Sequence, residues 1–251
     1  MKHLLTTLAL LAATAAHAEE TQVAVAANFT EPATEIAELF AAATGHSARL
    51  SFGSSGQFLA QITQGAPFEV FLSADDTRPT KTVEDGLAVE GTQFTYALGT
   101  LVLYSTEADL VTGPDTLEAA SFEKIAIADP KSAPYGAAAV QTMESLGVYE
   151  ALTPRVVQGQ SIAQTFQFVD TGNAALGFVA LSQVIKAEGG SRWVVPGEMH
   201  EPIRQDAVLL KTGAENEAAK AFLEFLRGPE ARKVIESFGY AVDPVAEPAA
   251  G

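Results

Sequence analysis

From Gln22 onward, short apolar runs alternate with longer segments whose apolar residues recur every three or four positions, the pattern of strands interleaved with amphipathic helices. Residues 22–27 read as a buried strand. Thr30 then offers a side-chain cap, with Pro32 in the first turn, for a helix whose apolar positions are Ala33, Ile36, Ala37, Phe40 and Ala43 and which Gly45 stops. A second strand over 48–52 leads through Gly53 to Ser54 and Ser55, which can cap a helix carrying Phe58, Leu59 and Ile62 and ending at Gly65. Residues 68–73 form a third strand. This order predicts right-handed crossovers and a parallel sheet covered by helices on both faces.

A further apolar strand over 98–105 precedes a second set of elements, which reads as a second lobe. It contains a strand over 124–128, a loop of turn formers over 129–135, and a helix that Gly136 opens and Gly147 stops, through Val140, Met143 and Leu146. A short strand at Val156 and Val157 precedes Ser161, from which a helix carrying Ile162, Phe166 and Val169 runs to Gly172, and residues 175–180 add another strand. The C-terminal part is helical over 215–227 and 230–238, divided by Gly228-Pro229, and the proline- and alanine-rich tail from Asp243 reads as disordered. The fold class expected is α/β, with lobe 1 from 19–98 plus 203–251 and lobe 2 from 99–202.

The first 18 residues do not fit that pattern. Lys2 and His3 give a short basic start, residues 4–16 are apolar and uncharged, and Ala16-His17-Ala18 places small residues where a signal peptidase reads them. The run falls short of the roughly 20 apolar residues that span a bilayer, and Glu19 and Glu20 follow at once. Cleavage is expected after Ala18, which gives an exported protein. Lys2 is the one charged residue removed, so the mature net charge becomes −17 from −16 over the full 251 residues.

With 31 acidic against 15 basic residues, the chain has no basic stripe to neutralise nucleic-acid phosphates or anionic membranes. Its zero cysteines exclude disulfides, thiolate metal sites, iron–sulfur clusters and cysteine nucleophiles, and suit an oxidising compartment. The mature chain keeps two histidines, His46 and His200, outside any metal-ligand spacing, so zinc sites and histidine-dependent triads have little to build on. No Walker loop or dinucleotide fingerprint occurs, and Gln57 stands where a nucleophile elbow through Gly53-Ser54-Ser55-Gly56 requires glycine. The acid pairs Asp75-Asp76 and Glu84-Asp85 read as a solvated face. No cofactor is expected.

What the pattern does offer is four helix starts: Asn28-Phe29-Thr30, Gly53-Ser54-Ser55-Gly56, Tyr135-Gly136 and Ser161-Ile162. Helix N-termini carry unpaired N–H groups and the positive end of the helix dipole, and in open α/β sheets ligands bind beyond the strand carboxyl ends. Four such starts across one cleft would suit an anion. Taken singly, each Ser, Thr or Asn is also an ordinary cap, and spacing does not separate the two readings.

Ala26-Ala27-Asn28-Phe29, Phe52-Gly53-Ser54-Ser55-Gly56 and the segment from Gln64-Gly65-Ala66-Pro67 to Ser73-Ala74-Asp75 resemble the periplasmic molybdate-binding proteins of ABC importers. The resemblance continues through Asp129-Pro130, Pro134-Tyr135-Gly136, 175–179 and 222–229, and so spans nearly the whole mature chain. It implies a two-lobed (class II) periplasmic binding protein with crossover strands, each lobe a mainly parallel sheet flanked by helices. It also implies capture of molybdate or tungstate between the lobes, and delivery to a membrane permease driven by a cytoplasmic ATPase, without enzymatic turnover. No sign of an oligomer appears, so a monomer is expected.

Carried over position by position, the oxyanion ligands implied are Asn28, Ser55, Tyr135 and the backbone N–H of Ile162. Many family members have a tyrosine donor in the strand after Leu-Gly, where this chain has Ala180; Tyr135 is expected to replace that hydroxyl. Molybdate and tungstate carry no proton at neutral pH and only accept hydrogen bonds, so a site of donors without a carboxylate suits them and disfavours protonated phosphate. Sulfate is excluded only by cavity size. Two other readings remain: the same fold holding sulfate, another oxyanion or a small organic anion, and an exported hydrolase acting through Ser54 or Ser55.

Overall fold

The computed structural model describes residues 18–242, so the leader, apart from Ala18, and the tail from Asp243 lie outside the described residues. The chain runs β1 (Glu20–Ala26), α1 (Thr30–Thr44), β2 (Ser47–Gly53), α2 (Ser55–Thr63), β3 (Val70–Leu72), α3 (Thr77–Glu84), β4 (Phe94–Gly99) and β5 (Leu101–Ser105). It continues through α4 (Asp115–Ala119), β6 (Ile125–Ala128), α5 (Pro134–Ser145), α6 (Tyr149–Leu152), β7 (Val156–Gly159), α7 (Ile162–Asp170), β8 (Leu176–Ala180) and α8 (Leu181–Val184). β9 (Ser191–Val194), β10 (Ile203–Leu209), α9 (Glu217–Arg227) and α10 (Pro229–Ser237) complete it.

The strands form two five-stranded sheets, ordered β2-β1-β3-β10-β4 and β7-β6-β8-β5-β9. β2, β1 and β3 are mutually parallel, as are β7, β6 and β8, which gives each lobe the parallel core that its βα units predict. The remaining pairs are antiparallel: β10 against β3 and β4, and β5 against β8 and β9. These are strands at which the chain changes sheet. The apolar run read as one strand over 98–105 is in fact two, since β4 ends at Gly99 in the first sheet and β5 begins at Leu101 in the second. Hydrophobic continuity does not register the single-residue break at Thr100, across which the pairing partners change from β10 to β8. β9 to β10 makes the return crossing, and the Ala241–Leu98 bridge ties the segment after α10 to β4.

Each sheet is covered on both faces, which is why its central strands are continuously apolar rather than alternating. On one face of the first sheet, α1, α9 and α10 bury Ile36, Phe40, Phe222 and Ile235. Phe40 lies edge-on to Phe222 with ring centroids 5.3 Å apart, and truncating so buried a phenylalanine costs about 3–5 kcal/mol. The other face packs Phe58 of α2 on Phe68 and Phe71. In the second sheet, Leu101, Leu103 and Phe178 pack with Met143 of α5, while Val102, Val169 and Val179 fill the opposite face. Asn216 caps α9 by accepting from the Ala218 N–H at 2.8 Å, and Pro229 opens α10 where its missing N–H costs nothing.

Candidate functional site

Asn28, Ser55, Tyr135 and Ile162 line one small cavity between the two sheets, and Ser54 lines it with them. Its wall is completed by alanine, glycine and proline, so none of the lining residues is charged. Asn28 lies just beyond β1 and Ser55 beyond β2, at strand carboxyl ends, while Tyr135 and Ile162 begin α5 and α7 in the second lobe. All four are buried, at 1–4% relative exposure.

Tyr135 reaches this position because Gly136 lets α5 sit on the end of β6. A Cβ at Gly136 would stand 2.2 Å from the Ala128 carbonyl oxygen. α5 accordingly begins at Pro134, two residues before Gly136, with proline supplying the first helical position. Tyr135 then presents an N–H from the first turn, which has no acceptor within the helix. Ile162, first in α7, presents another, and Ser161 caps that helix by accepting from the Gln164 N–H at 3.3 Å.

The side chains differ from the sequence expectation in three respects. Thr30 does not cap α1; its hydroxyl donates to the Ala27 carbonyl at 2.8 Å, and Phe29 holds the cap position. Ser54 holds the cap position of α2 but makes no capping bond. The Tyr135 ring lines the cavity, yet its hydroxyl reaches past it to Gly99, whose ideal Cβ would lie 2.3 Å away, and is buried beside the Gln205 and Tyr240 side chains. The hydroxyl expected to replace the family tyrosine is therefore turned toward β4. Ala180 ends β8 fully buried and does not line the cavity; its N–H is taken by Gln183 Oε1 at 3.0 Å.

Beneath the cavity lies a polar cluster that reading the sequence did not reveal. Asn28 Nδ2 donates to Gln205 Oε1 at 2.7 Å and to the Tyr240 hydroxyl at 2.9 Å, and that hydroxyl donates to the Asn28 carbonyl at 2.8 Å. Ser182 of the second lobe also donates to the Asn28 carbonyl, at 2.8 Å. Tyr96 donates to the Ser73 carbonyl at 3.1 Å and approaches Gln205 Oε1 at 3.3 Å. Burial raises the pKa of all three tyrosines, that of Tyr240 to about 12 and those of Tyr96 and Tyr135 well above the usual value, so all stay neutral donors. The signal available in the sequence was Gln205 and Asp206 just ahead of the apolar residues 207–210.

The lobes meet directly at the rim. Gly56 N–H donates to the Ser132 carbonyl at 2.8 Å, and Arg78 Nη2 donates to the Lys131 carbonyl at 2.9 Å. Arg78 also pairs with Asp75, and Lys81 with Asp85, so one carboxylate of each acid pair is engaged in a local ion pair. Ser55 Oγ accepts from the Ala74 N–H at 2.9 Å, leaving its own proton to donate. Neither Ser54 nor Ser55 meets a base, which removes the geometry a serine nucleophile needs. His46 and His200 are both partly buried, and no cluster of three potential metal ligands occurs among the described residues. No described helix is long and apolar enough to cross a membrane.

Residues 21–241 match the family model of the bacterial extracellular solute-binding proteins. The chain belongs to this family. It is 59% identical over 228 residues to the molybdate-binding protein ModA of Rhodobacter capsulatus, covering 91% of this chain and 90% of that one. It is 54% identical over 236 residues to ModA of Azotobacter vinelandii, covering 92% and 94%. The solved periplasmic molybdate-binding protein of Azotobacter vinelandii superposes with a TM-score of 0.86 at 41% identity, over 88% of this chain and 99% of that one. As a solute-binding protein the chain is a transporter component and not an enzyme, and the two-lobed α/β architecture is that of its family.

Proposed function

We propose that this solute-binding protein captures molybdate, and tungstate with it, in the cavity between its lobes and delivers the anion to the permease of an ABC importer powered by a cytoplasmic ATPase. One observation carries the reading: Asn28, Ser55, Tyr135 and Ile162 line a single cavity whose wall holds no charged residue. A carboxylate there would repel a dianion; donors and helix starts attract it. The donors assigned are the Ser55 hydroxyl, the Asn28 amide, and the backbone N–H groups of Tyr135 and Ile162. Local dipoles in a poorly hydrated site outweigh the acidic surface, whose charges solvent and salt screen. The names of the close relatives favour molybdate over other anions.

In this reading the chain is exported, is cut after Ala18, and works in the periplasm as a monomer. Its lobes are the two sheets with their flanking helices, joined at Thr100 and between β9 and β10, and their closure traps the ligand. Equilibrium dialysis of the mature protein against molybdate, with sulfate and phosphate in excess, tests the assignment. Retention of one molybdate per chain under that competition is the expected result; displacement by sulfate would make the protein a sulfate receptor instead.

A further inference from the structure

We infer that the Ser54 hydroxyl, which holds the cap position of α2 without making a capping bond, is a further donor to the oxyanion. This rests on the oxyanion reading of the cavity and adds a ligand that the family resemblance does not assign.

Ser54 sits at the cap position of α2 with φ −80° and ψ 147°, the extended backbone from which a serine ordinarily accepts from the second or third N–H of its helix. Ser161 does this at the corresponding position of α7. Ser54 does not. The second N–H of α2, that of Gly56, is donated to Ser132 of the other lobe at 2.8 Å, and the Phe58 N–H goes to the Ser54 main-chain carbonyl at 3.1 Å. The Ser54 hydroxyl is left without a hydrogen bond at 4% relative exposure, in the wall of the cavity that Asn28, Ser55, Tyr135 and Ile162 share.

A buried hydroxyl without a partner is costly, and an acceptor in the cavity would remove that cost. The class of ligand that fits is a tetrahedral dianion without a proton, whose oxygens all accept. Ser54 also answers the question that Ala180 raises. The strand position of the family tyrosine offers no hydroxyl here, and the Tyr135 hydroxyl is turned to Gly99. Two consecutive serines at one helix start, Ser55 with its acceptor side occupied by Ala74 and Ser54 with no bond at all, supply two hydroxyl protons to the same space.

The test is calorimetric titration of the mature protein and its Ser54→Gly variant with molybdate and with tungstate, alongside unliganded melting curves. Glycine is itself a good cap residue, so the variant removes the hydroxyl while keeping the helix start, and its unliganded melting temperature is expected within about 2 °C of the parent. Loss of a hydrogen bond to a charged oxygen should weaken binding of both anions by about 10- to 150-fold. Ser54→Ala provides the same deletion should the glycine variant fail to fold. A parent that binds and a variant that binds within about twofold of it would overturn the assignment of Ser54 alone. A parent that binds none of molybdate, tungstate or sulfate would overturn the oxyanion reading and this inference together.

Discussion

Asn28 and Gln205, 177 residues apart in the chain, are joined by a buried hydrogen bond of 2.7 Å from the Asn28 carboxamide to the Gln205 side-chain oxygen. Gln205 thereby fixes a cavity-lining side chain without lining the cavity itself. Replacing it with leucine strips the Asn28 amide of that partner and is expected to weaken molybdate binding by about 1–3 kcal/mol, with a comparable loss of stability in denaturant. Titration and urea unfolding of Gln205→Leu check both quantities. Unchanged affinity would show that the Asn28 orientation does not depend on β10.

The contact between the lobes at Gly56 and Ser132 depends on the lack of a side chain at Gly56. An ideal Cβ there would stand 2.8 Å from the Ser132 Cα, a backbone atom that cannot step aside without moving its lobe. Gly56→Ala is therefore expected to hold the lobes apart and lower oxyanion affinity at least about tenfold, on the order of 1.4 kcal/mol. Small-angle scattering should show that saturating ligand compacts the parent but not the variant.

Ser55→Ala and Tyr135→Phe should separate cleanly. The first removes a hydroxyl that faces the cavity and leaves the Ala74 N–H without its acceptor, and is expected to cost about 1.5–3 kcal/mol in binding. The second removes a hydroxyl that abuts Gly99 beside Gln205 and Tyr240 and is turned away from the cavity, so affinity should change by less than about 0.5 kcal/mol. A large loss of affinity in Tyr135→Phe would mean that the ring turns toward the ligand.

The buried tyrosines set the behaviour at alkaline pH. Their folded pKa values are raised by burial, that of Tyr240 to about 12, against 10.0 when unperturbed. Below pH 10 both folded and unfolded chains hold these protons, so the tyrosines add no pH dependence. Above it the unfolded chain releases protons that the folded one keeps, and stability falls as pH rises, by about 1.4 kcal/mol per pH unit for each such group until the folded pKa is reached. Urea unfolding of parent and Tyr240→Phe between pH 9 and about 12 should show a shallower decline in the variant.

Much of this was legible in the sequence because it rests on local signals. Gly45, Gly65, Gly147 and Gly172 each follow a helix at positive φ, as the periodicity placed them. The four helix starts chosen as candidate ligands do converge on one cavity. The features that were missed depend on tertiary pairing. The strand change at Thr100 is hidden in a run read as one strand, and β10 carries three polar residues in a row, Arg204, Gln205 and Asp206, whose partners Asn28, Gln93 and Thr95 lie far away in the chain. The Tyr135 hydroxyl was misplaced for the same reason: residue type gives its chemistry, but Gly99 decides where it can go.

The central claim is that the uncharged cavity between the lobes holds a proton-free tetrahedral oxyanion. Calorimetric titration of the dialysed mature protein with molybdate, tungstate, sulfate and phosphate in turn tests it most directly. The account predicts saturable one-to-one binding of molybdate and tungstate, with sulfate and phosphate giving no heat at matched concentrations. Silence from all four anions, or binding of phosphate in preference to molybdate, would contradict it.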